Sequence, residues 1–146
     1  MPPHLIASHL LRLDGARPAL LGSRCCDCGE VYFPAARGCT RCCSTQIEPF
    51  DLGHHGRLWS WTVQDFCPKP PYDGVDNEAD FRPYGVGYVE LACGIKVESR
   101  LTLADPTRLR IGMAMELTLE AYRHDADGTA FHTYAFGPVH GEDAAA

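Results

Sequence analysis

The chain has 146 residues, 45% of them hydrophobic and 22% charged, with 14 Gly, 11 Pro and 8 Cys. That apolar content is enough for one real core and excludes low-complexity disorder. No window approaches the roughly 18 uninterrupted apolar residues of a membrane span, and 13 Lys+Arg against 19 Asp+Glu, a formal charge of -6, opposes binding to phosphate polymers or anionic membranes.

In chain order, residues 1–18 read as an N-terminal helical segment. Leu5, Ile6, Leu10 and Leu13 form a loose apolar face, and Asp14-Gly15 and Pro18 end it. No basic region precedes this greasy patch, and two histidines and an arginine interrupt it, so a secretory signal is not expected. Eight cysteines without such a signal predict reduced thiols in the cytoplasm rather than a disulfide scaffold.

Residues 19–50 carry six of those cysteines. Only one register yields two C-x-x-C units, Cys25/Cys28 and Cys39/Cys42. Two residues between thiolates let a tight turn aim both sulfurs at one ion. Two such turns complete a closed four-thiolate site, the usual structural zinc arrangement; sulfur ligation alone does not separate zinc from iron. A closed site leaves no position for water or substrate, so the metal is expected to be structural. Gly29 suits the positive φ such turns often need, and Cys43 at the equivalent place fits it less well. Residues 19–24 and 31–33 read as strands, and so small a ribbon needs the metal to supply its folding free energy. Cys26 and Cys43 read as spectators, His54-His55 as linker, and Cys67 and Cys93 as small buried hydrophobes.

Residues 51–140 turn strictly β, and residues 141–146 read as a disordered tail. Strands are expected at 57–64, 86–91, 95–103, 113–122 and 129–136, with Ile95, Val97, Leu101 and Leu103, then Met113, Met115, Leu117 and Leu119, facing inward. Asp105-Pro106 to Gly112 has the caps of a single helical turn, and Asp127-Gly128 marks the last hairpin. Five strands with a turn between the third and fourth predict a small closed barrel of OB type; a β-sandwich usually shows seven or more. The fold class is thus mostly β: an N-terminal helix, a four-cysteine ribbon and a five-stranded barrel.

One segment exceeds a minimal barrel. Residues 65–84 hold four prolines and five acids, and join the first two barrel strands, where OB barrels often place ligand-contacting loops. Phe66, Tyr72, Phe81 and Tyr84 are anchors wasted in water, so the loop reads as partner-docking or site-covering. No nucleophile, metalloprotease or phosphate-loop motif is present, and His132 reads as a structural histidine. The pattern points to a binding or accessory role. Trp59 or Trp61 could stack bases, and the charge of -6 with two lysines opposes nucleic-acid binding.

The motif order resembles the zinc-ribbon/OB-fold acyl-CoA-associated proteins called DUF35. The likeness rests on Leu20-Leu-Gly-Ser-Arg-Cys25, Cys28-Gly-Glu-Val-Tyr-Phe-Pro34, Cys39-x-x-Cys42, Gly56-Arg-Leu-Trp-Ser-Trp-Thr-Val63, Pro83-Tyr-x-Val-Gly-Tyr-Val-Glu-Leu91, Arg110-Ile-Gly112 and Thr133-Tyr-Ala-Phe-Gly-Pro138. Departures are Cys43, where the family often has Gly, and Ala35, where a second Pro is common. The resemblance implies a subunit with no catalytic residues of its own, paired with a thiolase-fold enzyme that cleaves acyl-CoA carbon–carbon bonds, as a heterotetramer. A MaoC-like hydratase partner is the alternative it leaves. A coenzyme A thioester would be a ligand shared with the partner; Arg37 and Arg41 beside the ribbon and Phe66, Tyr72, Phe81, Arg82 and Tyr84 of the long loop are the expected contacts with acyl-CoA or with the partner.

Overall fold

The structure, a computed structural model, describes residues 2–139. Its strands are β1 (His4–Leu5), β2 (Leu11–Asp14), β3 (Arg17–Cys25), β4 (Val31–Tyr32), β5 (Ile47–Asp51), β6 (His55–Gln64), β7 (Tyr84–Leu91), β8 (Lys96–Leu101), β9 (Ala114–His124) and β10 (Ala130–Pro138). Among the described residues there is no α-helix, only a three-residue 3-10 turn at Glu78–Asp80. The expected N-terminal helix is therefore wrong. Asp14 and Gly15 do not stop a helix: they open a hairpin, with Leu13 opposite Pro18, Asp14 opposite Arg17 and Gly15 at φ +66. An Asp-Gly pair between apolar stretches is a hairpin signal, and the β pairing it permits buries Leu11 against Leu20.

The expected barrel is present and closed. Strand order runs β10-β8-β7-β6-β9, and β9 pairs back onto β10. Every barrel pairing is antiparallel except β10 with β8, where Ala135 faces Arg100 and Phe136 faces Leu101. That single parallel closure, between the third and fifth barrel strands, is the OB topology. The N-terminal β1 adds a sixth strand, parallel to β10 at Phe131 and His132.

Alternation decides which side chains fill the barrel. Val97, Leu101, Met113, Met115 and Leu117 are buried, with Ile95, Leu103 and Leu119 packed around them, matching the inward faces read from sequence, and Val89 and Phe136 join them. Gly87 keeps the β6–β7 wall thin, since a Cβ there would lie 2.5 Å from the Ser60 carbonyl. Between β8 and β9, the Asp105 carbonyl accepts from the Arg108 and Leu109 N–H groups and Gly112 closes the turn at φ +87. This is the single turn the caps implied.

The ribbon sheet is built on β3, flanked by β2 and β4 along one edge and by β5 along the other. Its Leu11, Leu20 and Leu52 belong to the same hydrophobic cluster as the barrel residues. Ribbon and barrel therefore share one core. The tail 141–146 lies outside the described residues.

Candidate functional site

The four cysteines of the two C-x-x-C units converge. Cys25 ends β3, Cys28 closes the first turn, and Cys39 and Cys42 form the second. All four sulfurs lie within 4.8 Å of one another, with Cys25 and Cys42 at 3.6 Å and Cys28 and Cys39 at 3.5 Å. A tetrahedral zinc with bonds of about 2.3 Å needs sulfurs about 3.8 Å apart. The donor set fits a structural zinc.

Each turn is fixed by the same backbone bond: Gly29 N–H donates to the Cys25 carbonyl at 2.9 Å, and Cys43 N–H to the Cys39 carbonyl at 3.0 Å. The residues that make these bonds both adopt positive φ, +80 at Gly29 and +64 at Cys43. Cys43 is the one non-glycine residue in that conformation among the described residues. The metal geometry thus sets the backbone at Cys43 against the side chain it carries.

Hydrogen bonds grade the four thiols. The Tyr32 hydroxyl, 3.2 Å from Cys39 Sγ, and the Cys42 N–H, 3.4 Å away, hold the Cys39 thiol down to about 6. At Cys42 the Ser44 N–H lowers the pKa, but lost solvent and contact with Cys25, Cys28 and Cys39 push it up to about 12. Four thiols this close cannot all ionise without a cation among them.

Among the described residues, the remaining cysteines belong to no second cluster of metal-ligating side chains. Cys26 and Cys43 are exposed beside the ligands, and Cys67 is half-buried. Cys93 is exposed in the β7–β8 turn, which corrects its reading as a buried hydrophobe. His54 lends its carbonyl to Leu117, and His55 begins β6 with Nε2 3.6 Å from Glu116.

The long loop sorts its aromatics into two groups. Tyr72 stacks on Tyr84 at 6.4 Å between centroids and meets Phe81 and Tyr122 edge-on at 6.4 and 5.9 Å. The Arg100 guanidinium lies 4.0 Å over Tyr84 and reaches Glu120 at 3.2 Å, tying the box to β8 and β9. Desolvation raises the pKa of both Tyr84 and Tyr122, keeping the phenols neutral. Arg123, with its guanidinium 4.3 Å over Phe131, holds Asp73 at 3.5 Å. Three expected contacts, Tyr72, Phe81 and Tyr84, are thus brought together as a clasp. Phe66 is not, and stays 74% exposed.

Arg82 turns back onto the Phe81 carbonyl at 2.9 Å. Arg37 is exposed, and Arg41 lies 3.2 Å from Glu30 on the ribbon surface. Sequence reasoning missed Tyr122, Arg100 and Tyr32. Nothing local distinguishes these residues; their partners come from elements up to about fifty residues away.

A four-thiol ribbon sharing its core with a closed five-stranded OB barrel defines a zinc-ribbon/OB-fold protein. Residues 14–48 match the family model "ChsH2, rubredoxin-like zinc ribbon domain", and residues 51–120 match "ChsH2, C-terminal OB-fold domain". A DUF35 domain-containing scaffold protein of Methanocaldococcus jannaschii is 30% identical, covering 84% of each chain. Benzoylsuccinyl-CoA thiolase subunit BbsA of Thauera aromatica is 30% identical over 86% of this chain and 81% of that one. The solved Ltp2-ChsH2(DUF35) aldolase superposes with a TM-score of 0.61 at 24% identity, covering 82% of this chain and 84% of that one, a likeness of fold. The chain belongs to the DUF35 family.

Proposed function

We propose that this protein is the non-catalytic subunit of a hetero-oligomeric, thiolase-fold enzyme acting on acyl-CoA carbon–carbon bonds. One observation carries the reading: the chain aligns over most of its length with a protein named as a thiolase subunit. The chemistry of the fold agrees. The four thiols suit a closed metal site that has no open coordination position. Catalysis then belongs to the partner, and this chain stabilises it and helps to shape its acyl-CoA site.

In this role Cys25, Cys28, Cys39 and Cys42 hold zinc and keep the ribbon folded. The exposed Arg37 and Arg41 offer guanidiniums to the phosphates of coenzyme A or to acids of the partner. The clasped loop presents Phe66 and its prolines outward, while Tyr72, Phe81 and Tyr84 act as its footing. The assembly is a cytoplasmic heterotetramer, a catalytic dimer with one copy of this chain on each half.

The test is capture of the tagged full-length protein from its native host at low salt, with mass spectrometry of what co-elutes. A near-stoichiometric thiolase-fold protein is the expected result. A MaoC-like hydratase would overturn the thiolase partner. One relative, the probable enoyl-CoA hydratase alpha subunit of Thermomonospora curvata, gives that second reading its support: it is 26% identical over 71% of this chain. Recovery of single-stranded nucleic acid alone would overturn both.

A further inference from the structure

The four ligand cysteines are not equivalent toward solvent. Cys25 is 1% exposed and Cys39 5%, and Cys28 is half-buried. Cys42 is exposed. The cause is local. Cys25 ends β3, which has a paired strand on each edge, whereas Cys42 lies in a turn whose residues 40–43 are all exposed. Four ligands close the metal to water, but one of the four remains open to the solution.

Exposure matters because of what coordination does to sulfur. Zinc-bound cysteines are thiolates, and the thiolate is the form an oxidant attacks. Zinc has no redox chemistry of its own, so the electrons must come from the ligands. With all four ionised, access decides which reacts first, and access favours Cys42.

A partner sulfur is in place. Cys25 Sγ lies 3.6 Å from Cys42 Sγ. The other close pair, Cys28 and Cys39 at 3.5 Å, is covered: Cys39 is buried, and the Tyr32 hydroxyl lies 3.2 Å from its sulfur. Cys26 and Cys43 are exposed but stand outside the cluster of four sulfurs. Each is also the sequence neighbour of a ligand, and neighbouring Cα atoms, about 3.8 Å apart, lie closer than the roughly 4.4 Å a disulfide normally needs.

We infer that Cys42 and Cys25 form an oxidation site, at which a hydroperoxide converts the pair to a disulfide and so releases the zinc. With hydrogen peroxide, the Cys42 thiolate attacks one oxygen. An S–O bond forms, the O–O bond breaks, and hydroxide leaves, so Cys42 becomes a sulfenic acid. The Cys25 thiolate then attacks the Cys42 sulfur. An S–S bond forms, the S–O bond breaks, and a second hydroxide leaves. Two thiolates have lost one electron each, and the peroxide has taken both. Cys28 and Cys39 alone cannot keep the metal, and a dithiol reductant restores the lost ligands. Because Leu11, Leu20 and Leu52 tie the ribbon to the barrel core, the oxidised ribbon loosens the barrel as well. The site depends on the zinc reading and is independent of which partner the chain has.

The test uses the full-length zinc-loaded protein and hydrogen peroxide. Released zinc is followed with a chromogenic chelator, and disulfides are mapped by alkylation, digestion and mass spectrometry. Cys42→His and Cys28→His each keep a four-ligand set of three sulfurs and one nitrogen, which zinc accepts; zinc content confirms that each is loaded. Cys26→Ser combined with Cys43→Ser removes the exposed neighbours. In the wild type, zinc release is expected to match formation of a Cys25–Cys42 linkage, and a dithiol with added zinc to reverse both. Cys42→His is expected to lose the peroxide-driven release, while Cys28→His and the double serine variant keep it. Release from Cys42→His at the wild-type rate overturns the site, as does a linkage mapped to another pair or a release that needs Cys26 or Cys43. Should Cys42→His fail to load, the wild-type linkage map decides alone. A wild-type chain that holds no zinc overturns the site together with the metal reading, and leaves the subunit reading standing.

Discussion

Tyr32 and Cys43 show what single residues contribute around the four thiols. The Tyr32 oxygen accepts the Thr40 N–H at 2.9 Å and lies 3.2 Å from Cys39 Sγ, so one phenol joins β4 to the second turn. Outer partners of metal ligands commonly change affinity by about ten- to a hundredfold when removed. Tyr32→Phe is therefore expected to pass zinc to a chromogenic chelator about tenfold faster, with the barrel unaffected. Cys43 makes the opposite point. A side chain in left-handed backbone costs about 1 kcal/mol, and glycine at this position would relieve it. Cys43→Gly is expected to retain zinc more tightly, by a few-fold in chelator competition. The residue pattern revealed this tension in advance, because the position after the turn is glycine in the first unit and not in the second. It did not reveal Tyr32, whose role depends on where β4 falls against the second turn.

At the scale of elements, the long loop behaves as a fitted part. Tyr72 is its peg: three rings surround it, and Gly74 has no side chain to collide with its phenol. Each aromatic pair contributes about 0.5–1.5 kcal/mol beyond burial, so Tyr72→Ala should release the segment by about 2 kcal/mol or more. Hydrogen exchange is expected to speed up across residues 72–81, with the barrel amides still protected; unchanged exchange would refute the clasp. The third and fourth barrel strands were legible because alternation survives in them, through Val97 and Leu101 and through Met115 and Leu117. The opening segment was not. Leu5, Ile6, Leu10 and Leu13 mimic helical spacing, while the β pairing of Leu11 with Leu20 involves a partner strand that periodicity cannot see. The clasp was half-legible: its loop aromatics stood out as anchors, but Tyr122 and Arg100 lie on strands whose neighbours only the closed barrel defines.

For the molecule as a whole, the shared core makes the metal a long-range stabiliser. Leu11, Leu20 and Leu52 reach from the ribbon sheet into the barrel cluster. Structural zinc contributes folding free energy only to the state that holds it. Stripping the metal with a strong chelator is thus expected to lower the barrel's melting temperature by several degrees, and restoring zinc to recover it. A barrel transition indifferent to chelation would show two independent units. Acid should act in the same direction. The ligands must be thiolates, protons compete with the metal for them, and the metal's contribution is lost as pH falls.

The pairing of β1 with β10 also sets a timetable. His4 lies opposite Phe131 and Leu5 opposite His132, so contacts some 127 residues apart close the seam beside the β8–β10 junction. During synthesis, β1 must wait, unpaired, until β10 has followed it. Through that interval the two-residue β1, His4 and Leu5, has no strand to pair with. A bulky tag fused ahead of it would occupy the seam at the moment it closes, whereas the same tag placed after the last strand would leave that moment undisturbed.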